Sequence, residues 1–131
     1  MEPMFFESKS KYGFDETVQM LTDVVAESGW KLIHLHDLQE TMRKNGKQVD
    51  PVKVMEICNP NLAYRLLSED EQRIYSNMMP CRVSVYVKGD GLTYVSRINA
   101  AQMASQIGGV LHEVMSTAFT DAEKFIDKVS V

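Results

Sequence analysis

The sequence predicts one α+β domain, residues 1–131, with five strands in a single antiparallel sheet and helices packed on one face. Three observations carry this. Cys81 to Ile98 reads as a valine-rich hairpin about Gly89-Asp90-Gly91, and two distant segments have helical apolar stripes. The chain, at 131 residues, is long enough to bury one core without disulfide or metal staples. Only one arrangement buries both stripes: the helices starting near Asp15 and Asn99 share a sheet face.

Met4 to Lys9 alternates as a first strand. Gly13 and Asp15 open a helix whose Phe14, Val18, Leu21 and Val25 fall on one face, and Gly29 closes it. Trp30 to Asp37 reads as a half-buried strand with Ile33 and Leu35 on one face and His34 and His36 on the other. A short helix spans Leu38 to Lys44 and ends at Asn45-Gly46. Val52 to Cys58 is a β-branched run, and Asn59-Pro60 supplies an N-cap with proline at the first helical position. The helical stretch from Pro60 to about Asn77 breaks near Ser68 and stops at Pro80. In the hairpin, Val83, Val85 and Val87 alternate with Arg82, Ser84 and Tyr86, a pattern too apolar for a bare edge. Asn99 caps a last helical region with the stripe Ile107, Leu111, Val114, Ala118, Phe125 and Val129, kinked at Gly108-Gly109.

Composition narrows the function classes. Hydrophobic residues make up 44% and charged residues 24%, the balance of an ordinary globular chain. A net charge of −4 with dispersed basic residues predicts no nucleic-acid partner. No apolar window has the length of a membrane span or a secretory signal, so no membrane association and a reducing cytoplasm are expected. In that compartment the two cysteines are read as free, redox-active or metal-binding rather than as a disulfide framework. Catalysis has no positive support: the glycines form no phosphate loop, no Cys-x-x-Cys occurs, and no serine sits on a strand-to-helix elbow.

Two segments carry a resemblance. Glu56-Ile57-Cys58-Asn59-Pro60, followed by Leu62, Ala63 and Leu66, and Met79-Pro80-Cys81-Arg82-Val83-Ser84-Val85-Tyr86 resemble the two signature blocks of domain-of-unknown-function family 302 of bacteria and archaea. The resemblance runs from about Phe6 to Ile126. It implies a fold like that of the TATA-box-binding protein: a β-α-β-β-β-β-α order with helices on one face of a curved sheet. It also implies a cysteine in each block, here Cys58 and Cys81, and no particular activity.

If the strands ending at Cys58 and starting at Cys81 are antiparallel neighbours, their α-carbons fall roughly 4.5–5.5 Å apart, within disulfide range. Cys81 is in phase with Val83, Val85 and Val87, whereas Cys58 is in phase with Val54 and Glu56. A shared face would turn Glu56 inward beside two thiols, which is costly unless the carboxylate is paired or protonated. The alternative places Met55 and Ile57 in the core, Glu56 in solvent and the cysteines as small buried side chains. A zinc site joining Cys58 and Cys81 to His34 and His36 fails on strand direction: it puts His36 near Val52, about 20 Å from Cys58. His34 and His36 are expected on the surface and His112 on a helix flank. The Met78-Met79 pair is read as a cover at the strand entrance, and thiol with thioether also suits Cu(I) on ligand type.

Three readings therefore stand. The first is a small cytoplasmic binding or sensing module, a homodimer, with a small ligand or soft metal near Cys58, Cys81, Glu56 and Asn59; a metal, if held, is held by Cys58 and Cys81. The second is a dithiol/disulfide redox protein, in which the helix start after Asn59 would lower the Cys58 thiol pKa. The third is an interaction domain with structural cysteines, using a sheet face that bears Arg82, Tyr86, Tyr94 and Arg97. The homodimer rests on the apolar surplus of the terminal helix and sheet.

Overall fold

A computed structural model describes residues 3–131. In chain order the elements are β1 (Phe5–Lys9), α1 (Phe14–Glu27), β2 (Lys31–Asp37), α2 (Leu38–Lys44), β3 (Val52–Cys58), α3 (Pro60–Leu67), a 3₁₀ segment (Asp70–Met78), β4 (Cys81–Val87), β5 (Thr93–Ile98), α4 (Ala100–Ser105) and α5 (Gly109–Asp127). The strands form one sheet in the order β1-β5-β4-β3-β2, with every neighbouring pair antiparallel. The predicted hairpin is thus at the sheet centre, and β1 and β2 are the edges.

Strand alternation sets the two faces of this sheet. Met55, Ile57, Val83, Val85 and Val95 point to the helix side and are at most 4% exposed. They pack with Val18, Leu21 and Val25 of α1 and Ala118, Phe125 and Ile126 of α5 in one core. A second core joins Leu66 of α3, Ala104 of α4 and Leu111, Val114 and Met115 of α5. Helix α5 therefore belongs to both.

Local chemistry explains the ends. Gly29 takes φ +81°, closed to most side chains, and lets the Trp30 N–H donate to the Val25 carbonyl at 3.1 Å. Asn59 accepts from the Asn61 N–H at 3.0 Å, capping α3, while Pro60 occupies its first turn. Ser68 ends α3, and the chain tightens into the 3₁₀ segment as the expected break requires.

The structure corrects three expectations. Residue Ile33 is a bulge in the β2–β3 pairing, so Leu32 and Leu35 face the core while Ile33 is 57% exposed. Gly108 and Gly109, at φ +76° and +61°, break the chain into two helices rather than kinking one, and Ile107 in that break is 50% exposed. Val129 is buried beyond the helix end, where its carbonyl accepts from the Lys11 N–H at 2.7 Å.

Arg97, expected on a partner-facing surface, lies on the helix side because it pairs in register with Val83 and Phe6. Its guanidinium grips Glu123 of α5 through two bonds of 2.6 Å and donates to the Ser8 hydroxyl at 2.8 Å. The Arg97 side chain is 9% exposed and that of Glu123 30%, so water screens this pair weakly. Removing one partner of such a pair costs about 3 kcal/mol, because the other charge stays buried without compensation. Glu123→Ala is expected to lower the unfolding free energy in urea by about that amount, with Arg97→Met/Glu123→Leu recovering most of it. A loss below about 1 kcal/mol for Glu123→Ala would place the pair among weak surface ion pairs.

Candidate functional site

The registered partner of Cys81 across the β3–β4 ladder is Ile57, one residue before Cys58. That single step decides the geometry of the two cysteines, since neighbours along a strand point to opposite faces. Cys81 faces the helix side with Val83, and Cys58, opposite Lys31 of β2, sits where β3 gives way to α3. Both thiols are free, and both border a cavity of about 20 Å³ between the β3–α3 junction and α5. Asn59 lines it too, beside Trp30 and Met115. This space holds about one water and no organic ligand.

Burial pushes the Cys58 thiol pKa upward, so the helix start after Asn59 does not win as expected. At Cys81 burial is the larger cause, and the Cys58 charge adds to it, raising the pKa to about 11. Thiolate, the nucleophilic form, is therefore disfavoured at both sites.

Glu56 lies on the other face of the sheet, with His34 opposite it on β2 and Arg82 opposite it on β4. Its carboxylate is hydrogen-bonded to His36 Nε2, and that bond is the main cause holding its pKa below the ordinary value. The bulge at Ile33 makes this possible: His36 pairs with Val54 rather than Val52, one diagonal step from Glu56. The rings of His34 and His36 meet edge to face at 4.3 Å. Among the described residues no cluster of three or more His, Cys, Asp or Glu is arranged to hold a metal ion.

The sheet face that bears Glu56 carries no helix core. Towards its far end Lys88 donates to Glu7 at 2.7 Å and lies 4.2 Å from the Tyr94 ring, and Tyr86 also donates to Glu7. Burial first, then this bond to Glu7, raises the Tyr86 pKa to about 12. Near the middle, Phe5, Leu38, Val54 and Ile98 border an open depression of about 340 Å³ with His36 and Arg82 at its margin. A ligand there would stay in contact with water.

A better enclosed space lies on the helix side. The cavity, about 270 Å³ and mostly apolar, opens between the β4 and β5 ends, α4, α5 and the 3₁₀ segment. Met78, Met79, Met103, Met115 and Phe119 line it, and Cys81 forms part of its wall. Phe119 is held by Phe6 at a ring separation of 5.8 Å. Of the residues lining this site, sequence reasoning reached Met78, Met79 and Cys81 as cover and candidate ligands, and Arg82 and Arg97 as parts of a partner-contacting sheet face. Met103 and Met115 arrive from helices later in the chain, at no spacing that a motif would encode.

The two thiols make different expectations for labelling. At pH 8, iodoacetamide is expected to modify both half-buried thiols slowly in the folded protein, Cys81 more slowly than Cys58 because burial pushes its pKa up to about 11, by peptide mass spectrometry. Equal, rapid modification of both in the folded protein would contradict the burial described here.

The fold has a solved counterpart. The crystal structure of uncharacterized conserved protein DUF302 from Bacillus stearothermophilus superposes with a TM-score of 0.86 at 19% sequence identity, covering 98% of this chain and 99% of that one. That identity carries the fold alone. No curated protein matches the chain. A family model described as Domain of unknown function DUF302 matches residues 6–129, the span that holds both cysteine blocks, and the chain therefore belongs to the DUF302 family.

Proposed function

We propose that this protein is a small-molecule binding or sensing module whose ligand occupies the methionine-lined cavity bounded by Cys81. The observation that carries the reading is a preformed space of about 270 Å³ with an apolar lining and a few polar groups, Asn77 and Arg82 among them. Binding sites have this composition because apolar walls supply affinity and sparse polar groups supply orientation. A single soft ion needs its sulfurs at bond lengths on the order of 2.3 Å, so a cavity this wide suits an organic ligand better than Cu(I). Cys81 then serves as a wall, with Cys58 outside the cavity. Thiol redox is less favoured, because both thiols are held towards the protonated form.

A homodimer is the second part of the proposal. Phe5, Tyr64 and Ile74 are 66%, 71% and 74% exposed, and a two-fold interface is what would cover such apolar side chains. Light scattering across a dilution series is expected to show a dimer that dissociates on dilution; monomer at every concentration would remove it.

The binding reading has a direct test in protein carrying ¹³C-methyl methionine. Single-ring aromatic fragments are expected to shift the Met103 and Met115 methyl resonances, and Met103→Trp, which fills the space, is expected to abolish those shifts. Fragments that leave both methyls unmoved at millimolar concentration would refute it.

A further inference from the structure

Two arginines border the methionine cavity, and neither offers it a free charge. Arg82 alternates with Val83 and pairs in register with Glu56, so its side chain lies on the open face of the sheet. There, after the bond from His36, its charge helps to hold the Glu56 pKa low. Arg97 is on the helix side, in register with Val83 and Phe6. Its guanidinium lies 5.7 Å from the Phe6 ring, which in turn meets Phe119 of the cavity wall. That guanidinium is already taken. Nε and Nη2 donate to the two carboxylate oxygens of Glu123, and Nη1 donates to Ser8. Glu123 follows Ala122 of the wall on α5, and the Arg97 side chain is only 9% exposed.

The rest of the wall is uncharged. Among the described residues no Asp, Glu, Lys or His lines the cavity, and burial favours the protonated Cys81 thiol. An anion entering this space has to take Arg97 from Glu123, leaving a carboxylate without its partner, and a cation finds no carboxylate at all. An uncharged ligand meets neither cost. Size narrows the class further. An apolar cavity of about 150 Å³ accepts benzene, so the volume here, about 270 Å³, holds in proportion about eleven non-hydrogen atoms. Thioether sulfur makes favourable contacts with aromatic ring edges, and Met78, Met79, Met103 and Met115 come to the cavity from three separate elements.

Resting on the binding reading above, we propose that the ligand is an uncharged single-ring aromatic compound, and that Glu123, by occupying Arg97, is the specificity-determining residue that excludes carboxylates of the same shape. The ion pair that fixes α5 against the sheet thereby also sets the charge that the cavity accepts.

The test is calorimetric titration with three compounds that share a ring and arm and differ in charge: 3-phenylpropanol, 3-phenylpropanoate and 3-phenylpropylammonium. Wild type is expected to bind the alcohol at least about tenfold more tightly than either ion. Glu123→Gln keeps the side-chain length and removes the charge, and its folding is checked by methyl resonance dispersion. It is expected to gain about tenfold for the acid with the alcohol unchanged, because the acid now supplies the missing counter-charge. If Glu123→Gln is unfolded, the acid and not the alcohol is expected to restore its methyl dispersion. A change shared equally by acid and alcohol, or no gain for the acid, would make Glu123 merely structural and overturn its assigned role. An ion that wild type binds as tightly as the alcohol would overturn the uncharged class and leave the cavity reading standing. Failure of all three to bind wild type, or binding that survives Met103→Trp, would overturn the cavity reading and this inference with it.

Discussion

Helix α5 is the element on which the rest of the structure depends, and the Arg97–Glu123 fork is what fixes it. Its first half packs Leu111, Val114 and Met115 into the α3–α4 core, and its second half packs Ala118, Phe125 and Ile126 against the sheet. Hydrophobic burial drives both contacts, but it is non-directional and leaves rotation of the helix about its axis weakly defined. A planar guanidinium gripping a carboxylate through two bonds restricts that rotation. Trp30 adds a second tie from the opposite side, with its ring edge on Phe125 at 5.6 Å and its Nε1 donating to Asp121 at 3.3 Å.

Because α5 and α1 cover one face of the sheet, each residue's chemistry follows from its place in the alternation. Cys81 is on the covered side, and burial makes its thiol a poor acid. Glu56, on the uncovered side, keeps its charge with His36 as partner. A site that needed both groups together would require one of them to change face, which a period of two forbids without a bulge between them. Among the described residues the irregularity in the strand pairings of this region is on β2 at Ile33, and it moves the histidines rather than the cysteines.

The methionine cavity arises where regular packing ends. The β4–β5 pairing begins only at Val83, α4 gives way to α5 at two glycines of positive φ, and the end of the 3₁₀ segment contributes Asn77 and Met78 to the lining. Unbranched thioether side chains suit such a boundary, since they adjust to an irregular space without a fixed shape of their own.

Taken by itself, the sequence determined the elements and ends whose cause lies within a few residues, apart from the bulge at Ile33 and the full break at Gly108-Gly109. The valine alternation and glycine turn made the central hairpin, Asn59-Pro60 made a helix start, and the stripes of α1 and α5 required a common sheet face. Family membership was legible for the same reason, from two short blocks. Tertiary structure decided what depends on how distant segments are aligned. The β3–β4 register offset Cys81 from Cys58 by one residue, the bulge at Ile33 brought His36 to Glu56, and Arg97 met Glu123 across 26 positions. The cavity likewise required Met79 and Met115 to meet from separate elements. Local patterns state which face a side chain takes, but register, bulges and helix rotation are set by the packing of the whole core, and those decide which faces meet.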